Sequence, residues 1–199
     1  MTGVKTPVID YKNSTQESAI ILKTKTKTRT ITIAALLIAI GILIPMISPL
    51  KIILEPASFT LASHVATFIA MFISPSVAIA VAIGTAFGFL LGGFPIVISL
   101  RAMSHVIFAY FGAKYLENKP DTMTKPSHKW LFSFLVGVLH ALAEVIVVSI
   151  FYFAGNLSAN YYDQGLLFSV MGLVGLGTII HSMVDLELAR IVWRAVEKN

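Results

Sequence analysis

From Thr30 to Ile47 the chain runs for eighteen residues without a charge, and such a stretch has few ways to fold. Lipid offers the backbone no hydrogen-bond partners, so N–H and C=O groups must satisfy one another within a helix, and about 20 residues of helix cross the hydrocarbon. Five more apolar segments follow, at about 60–73, 76–91, 96–115, 130–153 and 165–192. Composition agrees: of 199 residues, 56% are hydrophobic and 13% charged, with a mean hydropathy of +0.83. This pattern predicts an all-α integral membrane protein, a six-transmembrane-helix bundle over residues 30–195 behind a basic tail at 1–29. No length is left for a soluble ATPase or receptor module.

Charge sets the expected topology. Six of the 15 Lys and Arg residues lie in the tail, four between Lys114 and Lys129 and three from Arg190 onward, leaving Lys51 and Arg101. Six spans place the three clusters on one side, and the positive-inside rule makes that side the cytoplasm, with both termini there. The formal charge of +5 therefore follows from topology, and no nucleic-acid partner is expected. A basic run before an apolar one resembles a secretory signal, but it shows no convincing cleavage site and similar segments follow it. The chain has no cysteine, which removes disulfides, thiol catalysis and Cys-based metal sites.

The interior polar residues carry the function. An ionisable side chain at membrane depth costs roughly 2.5–3.5 kcal/mol on insertion scales, so it survives only where it is paired, hydrated or used. Arg101 and His105 share one helix face at i, i+4 spacing. Counting inward along each segment at about 1.5 Å per residue brings His64, Arg101, His105 and Glu144 toward one outward-facing pocket. The apolar loop 49–59, with Glu55, lies over it, and Tyr161 or Tyr162 edges it. His140, His181 and Asp185 count deeper, toward the cytoplasm.

Each of these has a plainer reading. Arg101 and Glu144 either neutralise each other between two helices or bind a ligand. His64 suits a helix-packing role, Asp185 a local hydrogen bond to His181 or a contact with a partner protein, and the tyrosine pair an interfacial anchor. The guanidinium fork matches a carboxylate or phosphate, and the imidazoles and Glu144 can hydrogen-bond a ring nitrogen or hydroxyl. A small organic acid fits. No Walker A, His-Glu-x-x-His or Gly-x-Ser-x-Gly pattern occurs, so no catalytic residue, metal or cofactor is expected. Ala35-x-x-x-Ala39 and Gly84-x-x-x-Gly88-x-x-x-Gly92 are stripes that admit close helix approach, from the same chain or a partner.

With Ala35-x-x-x-Ala39 in the first helix, a basic N-terminal tail and a long apolar loop next, residues 30–195 resemble the substrate-binding S components of energy-coupling factor (ECF) vitamin transporters. The runs Glu55-Pro-Ala-Ser-Phe-Thr-Leu-Ala-Ser-His64, Ala70-Met-Phe-Ile-Ser-Pro75, Gly84-Thr85, Gly93-Phe94-Pro95 and Arg101-Ala-Met-Ser-His105 are similar to the niacin branch. The resemblance implies a non-enzymatic subunit of a bacterial cell membrane that binds a vitamin under the loop between helices 1 and 2. Arg101, His105, Glu144, Glu55 and His64 would line the site. Ala35 and Ala39 would contact a membrane T component carrying two cytoplasmic ATPases. The sixth helix offers no strong polar residue at the outer level, which leaves that wall open.

Other readings remain. The vitamin could be pantothenate or a pyridoxine or thiamine precursor instead of niacin. The chain could be a stand-alone proton-coupled carrier using Glu144 or Asp185, or a small intramembrane enzyme with metal on His140, His181 and Asp185.

Overall fold

The structure is a computed structural model that describes the backbone of residues 11–54 and 57–197, with side chains at 27–50 and 59–196. It divides into two units, Met1–Ile33 and Ala34–Asn199. Helix α1 is Tyr11–Ile47, followed by strands β1, Lys51–Leu54, and β2, Ala57–Thr60. Then come α2, Val65–Ile73, α3, Pro75–Leu91, α4, Ile96–Asn118, and α5, Pro126–Phe153. A short α6, Ala159–Asp163, leads through a π-helical stretch, Leu167–Leu176, into α7, Gly177–Glu197.

The protein is an all-α, multi-pass membrane protein. Among the described residues, Lys27–Ile47, Ile96–Asn118, Pro126–Phe153 and Leu167–Val196 are long and apolar enough to cross a bilayer, and Pro75–Leu91 is a shorter apolar helix. Large apolar side chains such as Leu91, Phe153 and Leu167 are exposed around the perimeter, where hydrocarbon is their natural surrounding. α2, with nine residues, is only about 14 Å long.

Local sequence explains the turns. Ser74 is extended and its Oγ accepts a hydrogen bond from Val77 N at 3.3 Å, while Pro75 occupies the first turn of α3, where its missing N–H is no loss. α3 ends at Gly92-Gly93. Gly93 has φ +78°, a left-handed conformation that glycine adopts without a Cβ penalty.

The first helix begins at Tyr11, so residues 11–29 of the basic tail are helical; once the apolar segment has nucleated a helix, each added residue gains a hydrogen bond at low cost. The apolar stretch 49–59, read from the sequence as a loop, contributes to an antiparallel hairpin pairing Lys51 with Thr60 and Leu54 with Ala57, in keeping with the β-branched Ile52 and Ile53. Glu55 lies outside the described residues. The second helix is shorter than 60–73, because residues 61–64 form a turn before Val65.

The glycine stripe has its occupant within the chain. A Cβ on Gly84 would stand 2.5 Å from Ile38 Cδ1, and one on Gly88 would collide with Ile42, so α1 beds two isoleucines in the groove of α3. Ala34 and Leu37 are buried on that side of α1, whereas Ala35 and Ala39 are exposed. The two small-residue motifs therefore differ: one is filled, the other faces outward.

Candidate functional site

Glu144, buried in α5, is the centre of the polar interior. Its Oε2 accepts hydrogen bonds from Arg101 Nη2 and from Thr178 Oγ1, each at 2.8 Å. Its Oε1 lies 3.3 Å from His105 Nε2 and 3.5 Å from His140 Nε2. Arg101 and His105 come from one face of α4, His140 and Glu144 from one face of α5, and Thr178 from the first turn of α7. The carboxylate is thus satisfied by a cation and a hydroxyl, the condition for holding such a charge in a dry bundle.

A second carboxylate organises the turn before α2. Asp185, fully buried in α7, accepts from Ala62 N at 2.8 Å and from His64 N at 2.9 Å, and its Oδ2 lies 3.1 Å from His64 Nδ1. The first N–H groups of a helix lack internal partners and favour a negative charge. No side chain caps α2 directly; Asp185 instead holds, from across the bundle, the N–H groups of the turn just ahead of it, at Ala62 and His64. Ser63 Oγ, 3.0 Å from His181 Nε2, ties the same turn to α7.

Between these groups lies a cavity of about 160 Å³, small beside the roughly 300–1,000 Å³ of drug-sized sites. Phe59 and Thr60 at the end of β2 border it, with Thr85 and Phe89 of α3, Phe94, and Arg101, His105, Glu144, Thr178 and His181. Phe59 reaches this position by lying against Gly177, where a Cβ would approach its ring to 2.5 Å. Two polar atoms of the lining are buried without a hydrogen-bond partner, Arg101 Nε and Thr85 Oγ1.

Four of the expected site residues meet here: His64, Arg101, His105 and Glu144 all line the cavity. The separation into two depth groups does not hold. The His64 ring is 4.7 Å from that of His140 and 5.0 Å from that of His181, and Asp185 binds the backbone at His64. Counting along helices failed because α2 begins only at Val65 and His64 enters the bundle on a turn. The i, i+4 spacing of His140 and Glu144 was an available sign that the two share one face.

The sixth segment does supply polar groups: Thr178 and His181 line the cavity and Asp185 anchors its edge. Thr178 had no distinguishing signal beyond its place one turn before His181. The tyrosines do not line the cavity. Tyr162 Oη accepts from Leu157 N at 3.2 Å and donates to Tyr152 O at 3.1 Å, fastening its own loop. Burial pushes the Tyr161 hydroxyl above its usual pKa, with Arg101 drawing it back.

No family profile and no solved structure matches the chain. The curated protein "Niacin transporter NiaX" of Lactococcus lactis subsp. cremoris (strain MG1363) is 41% identical over 155 residues, 78% of this chain and 68% of that protein. At that identity and coverage, the chain belongs to the family of this transporter, the branch of ECF S components that its sequence resembles.

Proposed function

We propose that the protein binds niacin in the cavity beside Arg101 and delivers it inward as the S subunit of an ECF transporter. The observation that carries this reading is the pair of unpartnered atoms in the lining, Arg101 Nε and Thr85 Oγ1. Niacin is a pyridine ring with one carboxylate. A buried cationic N–H supplies a charge-assisted bond to the carboxylate, and the threonine hydroxyl supplies a donor for the ring nitrogen. Phe59, Phe89 and Phe94 provide apolar walls, and the cavity's size suits a single substituted ring. Membership of the niacin transporter's family supports the same ligand.

Thr85→Val tests the ring-nitrogen contact. Loss of one neutral hydrogen bond, about 0.5–1.5 kcal/mol, is expected to weaken niacin binding while leaving benzoate binding nearly unchanged. Calorimetric titration of both acids against wild type and variant reads this directly. An equal effect on the two acids would remove Thr85 from the site.

Delivery is assigned to partners. The bundle is read as six helices with both termini in the cytoplasm of a bacterial cell, and Ala35 and Ala39, exposed on α1, form the surface onto which the T component docks with its two ATPases. Replacing both alanines with tryptophan is expected to abolish niacin uptake by the assembled transporter. Binding by the isolated chain should stay within about twofold, as for surface changes away from a site. Sustained uphill uptake by the chain reconstituted alone would overturn this and establish a stand-alone carrier.

A further inference from the structure

His140 is fully buried; its Nδ1 lies 3.3 Å from Ser182 Oγ, and its Nε2 has no hydrogen-bond partner. A buried polar atom left in this state costs about 1–3 kcal/mol, which calls for a use. Nε2 is aimed at Glu144 Oε1, 3.5 Å away, the same oxygen that lies 3.3 Å from His105 Nε2. The rings of His64, His105 and His140 meet edge-on, with centroid separations of 4.8, 4.7 and 4.6 Å. One nitrogen from each and a Glu144 oxygen lie within 4.8 Å of one another.

We propose that His64, His105, His140 and Glu144 form a binding site for one divalent first-row transition-metal ion of the imidazole-preferring class, such as Zn²⁺ or Co²⁺. Metal–nitrogen bonds of about 2.0–2.1 Å place tetrahedral donors roughly 3.3–3.4 Å apart. The two Glu144–imidazole spacings already stand near that value, and the remaining donor pairs, all within 4.8 Å, have to draw in by little more than about 1 Å at most. Two of the three rings, those of His64 and His140, are held through their other nitrogen, the form that metal-bound histidines need. Asp185 Oδ2 lies 3.1 Å from His64 Nδ1, leaving Nε2 of His64 for the ion, and Ser182 holds His140 in the same way. Glu144 divides its oxygens, with Oε2 on Arg101 and Thr178 and Oε1 toward the imidazoles.

The neighbouring set of His64, His181 and Asp185 is a weaker candidate. The Asp185 oxygens are taken by the N–H groups of Ala62 and His64. No close ligand spacing announces the proposed site in the sequence, because its four donors come from three separate parts of the chain.

The test uses the full chain, purified in detergent through a histidine-free tag, stripped with chelator and titrated with Co²⁺ alone, without niacin. The expected result is one Co²⁺ per chain with the intense visible bands of four-coordinate cobalt, displaced by stoichiometric Zn²⁺. His140→Gln should lower Co²⁺ affinity by more than the roughly 10–100-fold that loss of an outer-shell partner costs. His105→Gln serves if that variant does not fold, folding being judged by circular dichroism and monodisperse elution. Failure of the stripped wild type to take up stoichiometric Co²⁺, a weak six-coordinate spectrum, or unchanged affinity in either folded variant would each overturn the proposal. Because niacin is absent throughout, the outcome is independent of the vitamin assignment.

Discussion

Arg101→Ala is expected to weaken niacin binding by about 10- to 150-fold, the loss of a charge-assisted bond worth roughly 1.5–3 kcal/mol. The same change leaves Glu144 with Thr178 and the imidazoles of His105 and His140, and breaking a buried ion pair costs a further 3–5 kcal/mol or so of stability. Binding must therefore be compared at temperatures where both proteins are folded. Arg101→Lys should recover part of the affinity, because a point charge replaces a planar fork. Titrating niacin and its neutral amide against wild type and Arg101→Lys reads the carboxylate contact. Wild type that does not prefer the acid would remove Arg101 from the substrate. If the pair with Glu144 were purely structural, changing both residues to apolar ones would restore fold and binding together, whereas a ligand role predicts a folded protein that no longer binds.

Asp185→Ala is expected to be the most destabilising single change in α7. It strips the acceptor from two partly buried N–H groups, at Ala62 and His64, and from one imidazole, a combined loss of about 3–5 kcal/mol. For a chain of this size that corresponds to a Tm lower by roughly 6–20 °C. Asp185→Asn should retain part of the stability, since one acceptor oxygen remains. Ala62 has φ +68°, which costs an L-residue about 1–2 kcal/mol, so Ala62→Gly should be neutral or stabilising provided the turn is held as described. Thermal unfolding in detergent checks all three. Asp185→Ala with an unchanged Tm would show that the turn is held by something other than this carboxylate.

Much of the fold is legible in the chain because lipid simplifies the problem. An uncharged run such as 30–47 must be a helix wherever it lies in the bilayer, and Ser74-Pro75 and Gly92-Gly93 break helices through their own backbone restrictions. Arg101, His105 and Glu144 are legible for a related reason: buried charge is expensive enough that its presence implies a partner. The hairpin at 51–60 was less legible. Its strands are only four residues each, too short for a period to emerge from a generally apolar stretch.

Local pattern along the chain dictates the helical class, the turns, and the need to reconcile an arginine, a glutamate and several histidines inside a membrane. Which of them meet was decided by tertiary structure. His64 and Asp185 are 121 residues apart in the chain, and nothing in local pattern links a turn before α2 to the middle of α7. Their contact depends on how far each helix slides along its neighbours, which is set by packing such as Ile38 and Ile42 against Gly84 and Gly88. Helical periodicity specifies the angle at which a side chain leaves its own axis, while axial offset between helices is a property of the assembled bundle. A displacement of one turn, about 5.4 Å, separates a hydrogen bond from no contact, and for that reason the two depth groups read from the chain are one cluster in the folded protein.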